Sequence, residues 1–282
     1  MKKKQYDDYR YEEIFDKLLP LQTYQDKIED LRMNNRYTYI VKTTTSGNLV
    51  ESEVYPVYKC RHDIPRAKER KESRELQKKL NDKNSKKRAF RLIQNNFDSG
   101  DLFIELSYDG DFVPDEIRAR KDIKNYIERL RRYRRKHGLP ELKYIYSIGF
   151  GESEGKKIRI HHHIIINKMD RDIAEKLWGM GRANSKRLQP DSGTGWFEEA
   201  SKYIAKQGKR RWAGSKNLKK PKVTTNRTRL TKRKVEKLVK EVNSFKEKFE
   251  GIYQNCDYRD TKIFYSDIVS GFYIYTRMKR RN

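Results

Sequence analysis

Three of the chain's five histidines are consecutive, His161-His162-His163, set between Ile160 and Ile164-Ile165-Ile166. Side chains alternate along a strand, so His161 and His163 share one face and His162 points to the other. Two imidazoles about 7 Å apart along a strand can ligate one divalent ion jointly; core histidines satisfied by hydrogen bonds are the alternative. With a carboxylate they make an open, mixed nitrogen and oxygen site. That suits Mg²⁺ or Mn²⁺ acting on a phosphate better than a closed structural zinc. Glu152, in the preceding turn, and Glu105, in an earlier strand, are the carboxylates that could complete it.

A second constellation is Ser201-Lys202-Tyr203-Ile204-Ala205-Lys206-Gln207. On a helix, Tyr203 and Lys206 share a face while Ala200 and Ile204 turn inward. A phenol with pKa near 10 needs a neighbouring cation to act as a nucleophile at neutral pH. Among 19 tyrosines a Tyr-x-x-Lys pair also arises by chance, and packing is the competing role.

The elements that must hold these residues can be read from periodicity. Arg36–Thr44 and Leu49–Tyr58 flank Ser46-Gly47-Asn48 and predict a β-hairpin. Residues 5–32 predict a short mixed-charge helical region. Residues 66–91 hold 12 basic and 4 acidic residues, which predicts a basic helix too polar for the core. Asp101–Tyr108 predicts a strand. Ile123, Tyr126, Ile127, Leu130 and Tyr133 mark one face of a helix over 115–137, stopped by Gly138 and Pro140.

Lys143–Phe150 and Lys157–Asn167 predict a second hairpin, which contains the histidines. Asp170 predicts the cap of a short helix ending at Trp178-Gly179. Arg182–Gln189 reads as a weak strand and Gly195–Gln207 as a helix. Beyond these, Thr231 to about Glu250 predicts an exposed helix, and Asp257–Tyr275 alternates aromatic and β-branched residues as one or two strands do. The order is that of an α+β fold with a mostly antiparallel sheet and flanking helices, carrying basic helical and short β extensions. Three segments follow from it: 1–95 with the first hairpin and basic helix, a core at 96–212, and a basic extension at 213–282.

Charge narrows the partners. The 282 residues carry 67 Lys+Arg against 40 Asp+Glu, a net +27, distributed as +7 over 1–100, +7 over 101–210 and +13 over 211–282. Such an excess points to nucleic acid, since each cation that meets a phosphate releases counterions. Tyr203, Trp212, Phe264 and Tyr265 lie among or near the basic stretches and are expected to stack on bases. The longest aliphatic run is Ile164–Ile166, far short of the roughly 20 residues of a spanning helix. The start of the chain lacks the apolar core of a secretory signal, so a cytoplasmic location and no membrane partner are expected. Cys60 and Cys256 form no CxxC pair, consistent with a reducing compartment.

Taken together, the order of these parts resembles the HUH endonucleases, in particular the rolling-circle replication initiators of phages, plasmids and integrative elements. The resemblance rests on Phe103-Ile104-Glu105-Leu106-Ser107-Tyr108, the helix Lys121–Lys136, the histidine strand Ile160–Ile166, Trp178-Gly179, Tyr203-Ile204-Ala205-Lys206 and Lys216-Asn217-Leu218-Lys219-Lys220-Pro221. It spans about residues 36 to 225. Glu105 stands where the family has Thr, and the Glu expected ahead of the histidines is delayed to Glu152. Gln207 stands where a second Tyr often follows, which implies a single-tyrosine enzyme.

The resemblance implies an RRM- or palm-like core in which His161, His163 and Glu152 or Glu105 hold Mg²⁺ or Mn²⁺. Tyr203 would attack single-stranded origin DNA to leave a 5′-phosphotyrosine and a free 3′-OH, with Lys206 stabilising charge. No Gly-x-x-x-x-Gly-Lys-Ser/Thr loop occurs, so a separate helicase and a DNA polymerase are implied partners, with homo-oligomerisation left open. A single-tyrosine transposase or relaxase, a nuclease that uses water, and a non-catalytic nucleic-acid-binding protein are the competing readings.

Overall fold

Gly47 sits at φ 60° in the two-residue turn between β1 (Tyr37–Ser46) and β2 (Leu49–Tyr58), a backbone that glycine adopts without a steric cost. The computed structural model describes residues 37–60, 74–110, 112, 114–153, 156–205, 212–266 and 271–281; within these, the side chains of 74–80, 151–153, 156–158, 242 and 266 are left aside. The helical region expected at 5–32 lies outside the described residues. So does the first part of the basic stretch 66–91.

The described chain is α+β, with two five-stranded antiparallel sheets and six α-helices. It divides into two compact units, one drawing on the chain up to Asn81 and from Pro221 onward, the other Asp82–Lys220. In the first unit, β8 (Lys222–Asn226), β9 (Cys256–Ser266) and β10 (Gly271–Arg280) join the hairpin in the order β8-β1-β2-β10-β9. Strands from segments 1–95 and 213–282 thus complete a single sheet, because β2 is hydrogen-bonded to β10 over Leu49–Val54. Pairing between segments that distant leaves no local sequence signal.

Helices α5 (Lys232–Lys240) and α6 (Phe245–Ile252) cover this sheet. Val235, Leu238, Val239, Phe245 and Phe249 are buried against Tyr39, Val54, Ile274 and their neighbours. The region expected to be one exposed helix is therefore two short helices with an apolar face in the core. Tyr265, expected to stack on bases, is also buried there against Phe272, with ring centroids 5.0 Å apart.

The second unit orders β3 (Leu102–Ser107), β4 (Tyr144–Ser153), β5 (Lys156–Ile166), β6 (Ala183–Arg187) and β7 (Trp212–Gly214) as β6-β3-β5-β4-β7. On one face lie α2 (Glu116–Lys136), capped by Asp115, and α3 (Arg171–Lys176), capped by Asp170. Ile123, Tyr126, Ile127 and Leu130 of α2 meet Ile104, Leu106, Ile148, Ile164 and Ile166. Arg134, near the end of α2, is buried and donates to the carbonyls of Pro140, Asn167 and Lys168.

On the other face lie α1 (Arg74–Asn96) and α4 (Glu198–Ala205). Contrary to the polar reading of the basic stretch, Ala89 and Ile93 of α1 and Phe97 just after it are core residues, packed with Phe103, Ile145, Ile165 and Ile204. The few apolar positions of that stretch fall on one side of its last turns, which an average over residues 66–91 conceals. Among the described residues no helix is long and apolar enough to cross a membrane.

Candidate active site

The sheet of the second unit creates the site by leaving part of one face uncovered. β5 is its central strand: His163 pairs with Glu105 of β3 and Ser147 of β4, while His161 pairs with Ser107 and Gly149. The alternation expected from sequence is present, with His161 and His163 on the face that α1 and α4 cover only partly. Their ring centroids are 4.9 Å apart at an interplanar angle of 80°.

Each imidazole turns its Nδ1 toward an oxygen. His161 Nδ1 donates to the carbonyl of Arg159 at 2.9 Å, and His163 Nδ1 lies 3.7 Å from Glu105 Oε1, within ion-pair distance. Such backing fixes the tautomer and leaves Nε2 as the ligating atom. Gly149 provides the room: a Cβ there would lie 2.3 Å from His161 Cε1 and 2.4 Å from Nε2, so the ring rests where any other residue would put its side chain. Two nitrogens presented in this way fit a divalent cation. Among the described residues no three His, Cys, Asp or Glu side chains gather as a ready-made cage, which leaves these imidazoles as the donor pair.

His162 faces the α2 side and is buried. Its Nε2 is 3.0 Å from Tyr108 Oη, which is 3.4 Å from Asp122 Oδ2, and Arg118 Nε meets both Asp122 oxygens at 3.0 and 3.1 Å. The assignment that satisfies this chain has Nε2–H donating to Tyr108 and Tyr108 donating to Asp122. Trp178 closes the pocket, its ring centroid 5.5 Å from that of His162 and its Nε1 donating to the carbonyl of Ser107 at 2.8 Å. Burial, then the neighbouring His161 and His163, pushes the His162 pKa down to about 3, so this imidazole is neutral. Burial also raises the Tyr108 phenol above its ordinary value, followed by the nearby Asp122 carboxylate. The middle histidine is thus structural, and the Trp-Gly segment packs against it.

Tyr203 is carried to the histidines by α4. Asp191 Oδ2 accepts from the backbone N–H groups of Glu198 and Glu199 at 2.9 and 3.1 Å, which fixes the start of that helix. Ile204 and Ala205 are buried among Phe103, Ile145 and Ile165. The same turn leaves Tyr203 45% exposed at the edge of the apolar cluster, its ring centroid 5.7 Å from His163 and 5.9 Å from Phe103. Residues some forty positions apart in sequence are therefore neighbours.

Lys206 lies outside the described residues, as does Gln207. Glu152 is placed by its backbone: it pairs with Lys157, four residues before His161, or about 13 Å along the strand. Glu105 is next to His163. Lys186 of β6, which the sequence reading did not single out, lies over the rings of Phe103 and Tyr203, its Nζ 5.2 and 5.9 Å from their centroids. Only the alternation of a short, polar edge strand could have indicated it. Trp212, an expected stacking residue, is half-buried, donates from Nε1 to Ser85 Oγ at 3.0 Å and has Arg88 over its ring at 5.8 Å.

Residues 101–208 match the family model of the replication-associated protein ORF2. That segment holds both histidines, Tyr203, Glu105 and Lys186, and coincides with most of the second unit. No curated protein and no solved structure matches the chain. The match supports a part in the initiation of DNA replication.

Proposed function

We propose that this protein is a single-tyrosine replication initiator of the HUH type, which nicks single-stranded origin DNA and keeps the 5′ end covalently. The observation that carries the reading is the position of Tyr203 beside His163, on the face where His161 and His163 present paired nitrogens, within the segment that matches a replication-associated family.

His161 and His163 would hold the cation, with Glu105 or Glu152 as the carboxylate of the site. Nitrogen donors favour Mn²⁺ over Mg²⁺. When bound, the ion supplies positive charge for the non-bridging oxygens of the scissile phosphate. Tyr203 Oη forms a bond to phosphorus and its proton passes to water. The bond to the 3′ oxygen breaks, and that oxygen leaves with the electron pair and takes up a proton. One phosphodiester is exchanged for another, so rejoining needs no external energy source, and the free 3′-OH can prime a polymerase. Lys206 is expected to assist the phenolate. Basic residues of α1 and of 202–237 would hold the DNA backbone. A separate helicase and polymerase, and a cytoplasmic location, belong to the same proposal.

The test is incubation of the full chain with labelled single-stranded origin DNA and Mn²⁺, followed by a denaturing gel. A protein–DNA adduct should form, and Tyr203→Phe should abolish it while DNA binding persists. Cleavage without an adduct would overturn the tyrosine chemistry. Cleavage by the His161→Ala, His163→Ala double variant would overturn the metal assignment.

A further inference from the structure

Strand β6 is an edge strand, yet it is firmly anchored. Ser185 N and Oγ donate to Glu175 Oε1 at 2.7 and 2.6 Å, Arg171 Nε donates to Ser185 Oγ at 3.2 Å, and Arg187 donates to the carbonyls of Gly100 and Met169 at 2.8 and 3.1 Å. Those side chains hold one face of β6. Lys186, between them, leaves by the other. It pairs with Phe103 in the ladder and extends over that ring toward Tyr203. Among the described residues no carboxylate pairs with Lys186, so its charge is not neutralised by the protein.

We propose that Lys186 is a catalytic cation of the tyrosine reaction, meeting the scissile phosphate as Tyr203 attacks it. The inference rests on the function proposed above and adds a residue from β6 to it. As the bond from Tyr203 Oη to phosphorus forms and the bond to the 3′ oxygen breaks, negative charge spreads over the phosphoryl oxygens. The leaving 3′ oxygen is protonated by water, and the tyrosine proton goes to water. An ammonium already held at the ring stabilises that charge with little reorganisation, and losing one such preorganised group costs on the order of 10²-fold in rate. The Phe103 ring keeps the ammonium over the site rather than in bulk solvent.

The experiment compares Lys186→Met, which keeps the stem and removes the charge, with Lys186→Arg. Single-turnover adduct formation is followed at saturating single-stranded DNA, DNA affinity by fluorescence anisotropy, and Mn²⁺ affinity by electron paramagnetic resonance. Lys186→Met should slow adduct formation on the order of 10²-fold at saturation with Mn²⁺ affinity unchanged, and Lys186→Arg should restore most of the rate. An unchanged rate at saturation, with only weaker binding and a shallower salt dependence, would reduce Lys186 to a backbone contact and overturn the proposal. A wild-type chain that forms no adduct overturns the tyrosine reading itself, so the two failures are distinct. Should Lys186→Met melt early, Lys186→Gln carries the same comparison.

Discussion

Glu105 stands directly opposite His163 in the β3–β5 ladder, with its carboxylate oxygen 3.7 Å from His163 Nδ1. The carboxylate is therefore aimed at the nitrogen that does not face the cation, as in a carboxylate–histidine–metal arrangement, and it is half exposed. Losing such backing typically costs 10- to 100-fold in metal affinity. Glu105→Gln is expected to weaken Mn²⁺ binding by about that factor, measured by titration with electron paramagnetic resonance detection. Glu152→Gln is expected to leave it nearly unchanged, since its backbone is in register with Lys157 rather than with either histidine. The opposite ranking would return Glu152 to the site.

Gly149 makes the second prediction, because its hydrogen is what allows the His161 ring to lie across β4. In Gly149→Ala the new methyl would overlap Cε1 and Nε2 of His161, and the ring would have to leave the metal-facing rotamer. A variant with Mn²⁺ affinity at least about 10-fold weaker, but a melting temperature within a few degrees of wild type, is the expected outcome. Unaltered Mn²⁺ affinity would mean that the ring has another usable position.

The histidine strand, the Tyr-Lys helix and the strand of Glu105 were all legible in the sequence because each depends on local periodicity. What was hidden depends on pairing at a distance. β2 meets β10 across more than two hundred residues, and nothing in Leu49–Val54 specifies that partner. Ala89 and Ile93 enter the core although the stretch around them is strongly basic, since a helix needs only one apolar side. Lys186 gains its place from the anchoring of its neighbours, and Gly149 from a ring on the adjacent strand.

The chain from His162 to Tyr108 to Asp122 gives a prediction about stability. Tyr108→Phe strands the buried Nε2 of His162 and removes a donor to Asp122, which should cost about 1–3 kcal/mol. His162→Leu alone should also destabilise, since Tyr108 then loses one partner. In the double variant no imidazole is left unsatisfied, so the loss should be smaller than the sum of the two single losses. Urea unfolding of all four proteins gives the coupling directly. Strict additivity would show that the Tyr108–His162 contact contributes nothing.

The same buried imidazole makes stability depend on pH. In the unfolded chain His162 titrates near 6.5, whereas the fold pushes it down to about 3, chiefly by burial and then by the neighbouring His161 and His163. Between those values the unfolded state binds a proton that the folded state refuses, so acid favours unfolding. The contribution of this group is fully present above pH 6.5 and is lost as the pH falls toward 3, at up to about 1.4 kcal/mol per pH unit. Tyr108 and the Asp122–Arg118 pair face His162 from β3's end and α2, and they are common to wild type and a His162→Leu variant. Urea unfolding in chelator at pH 7 and at pH 4.5 should therefore show a smaller acid loss in His162→Leu than in wild type. Equal losses would place the acid sensitivity in other groups and assign His162 an ordinary pKa.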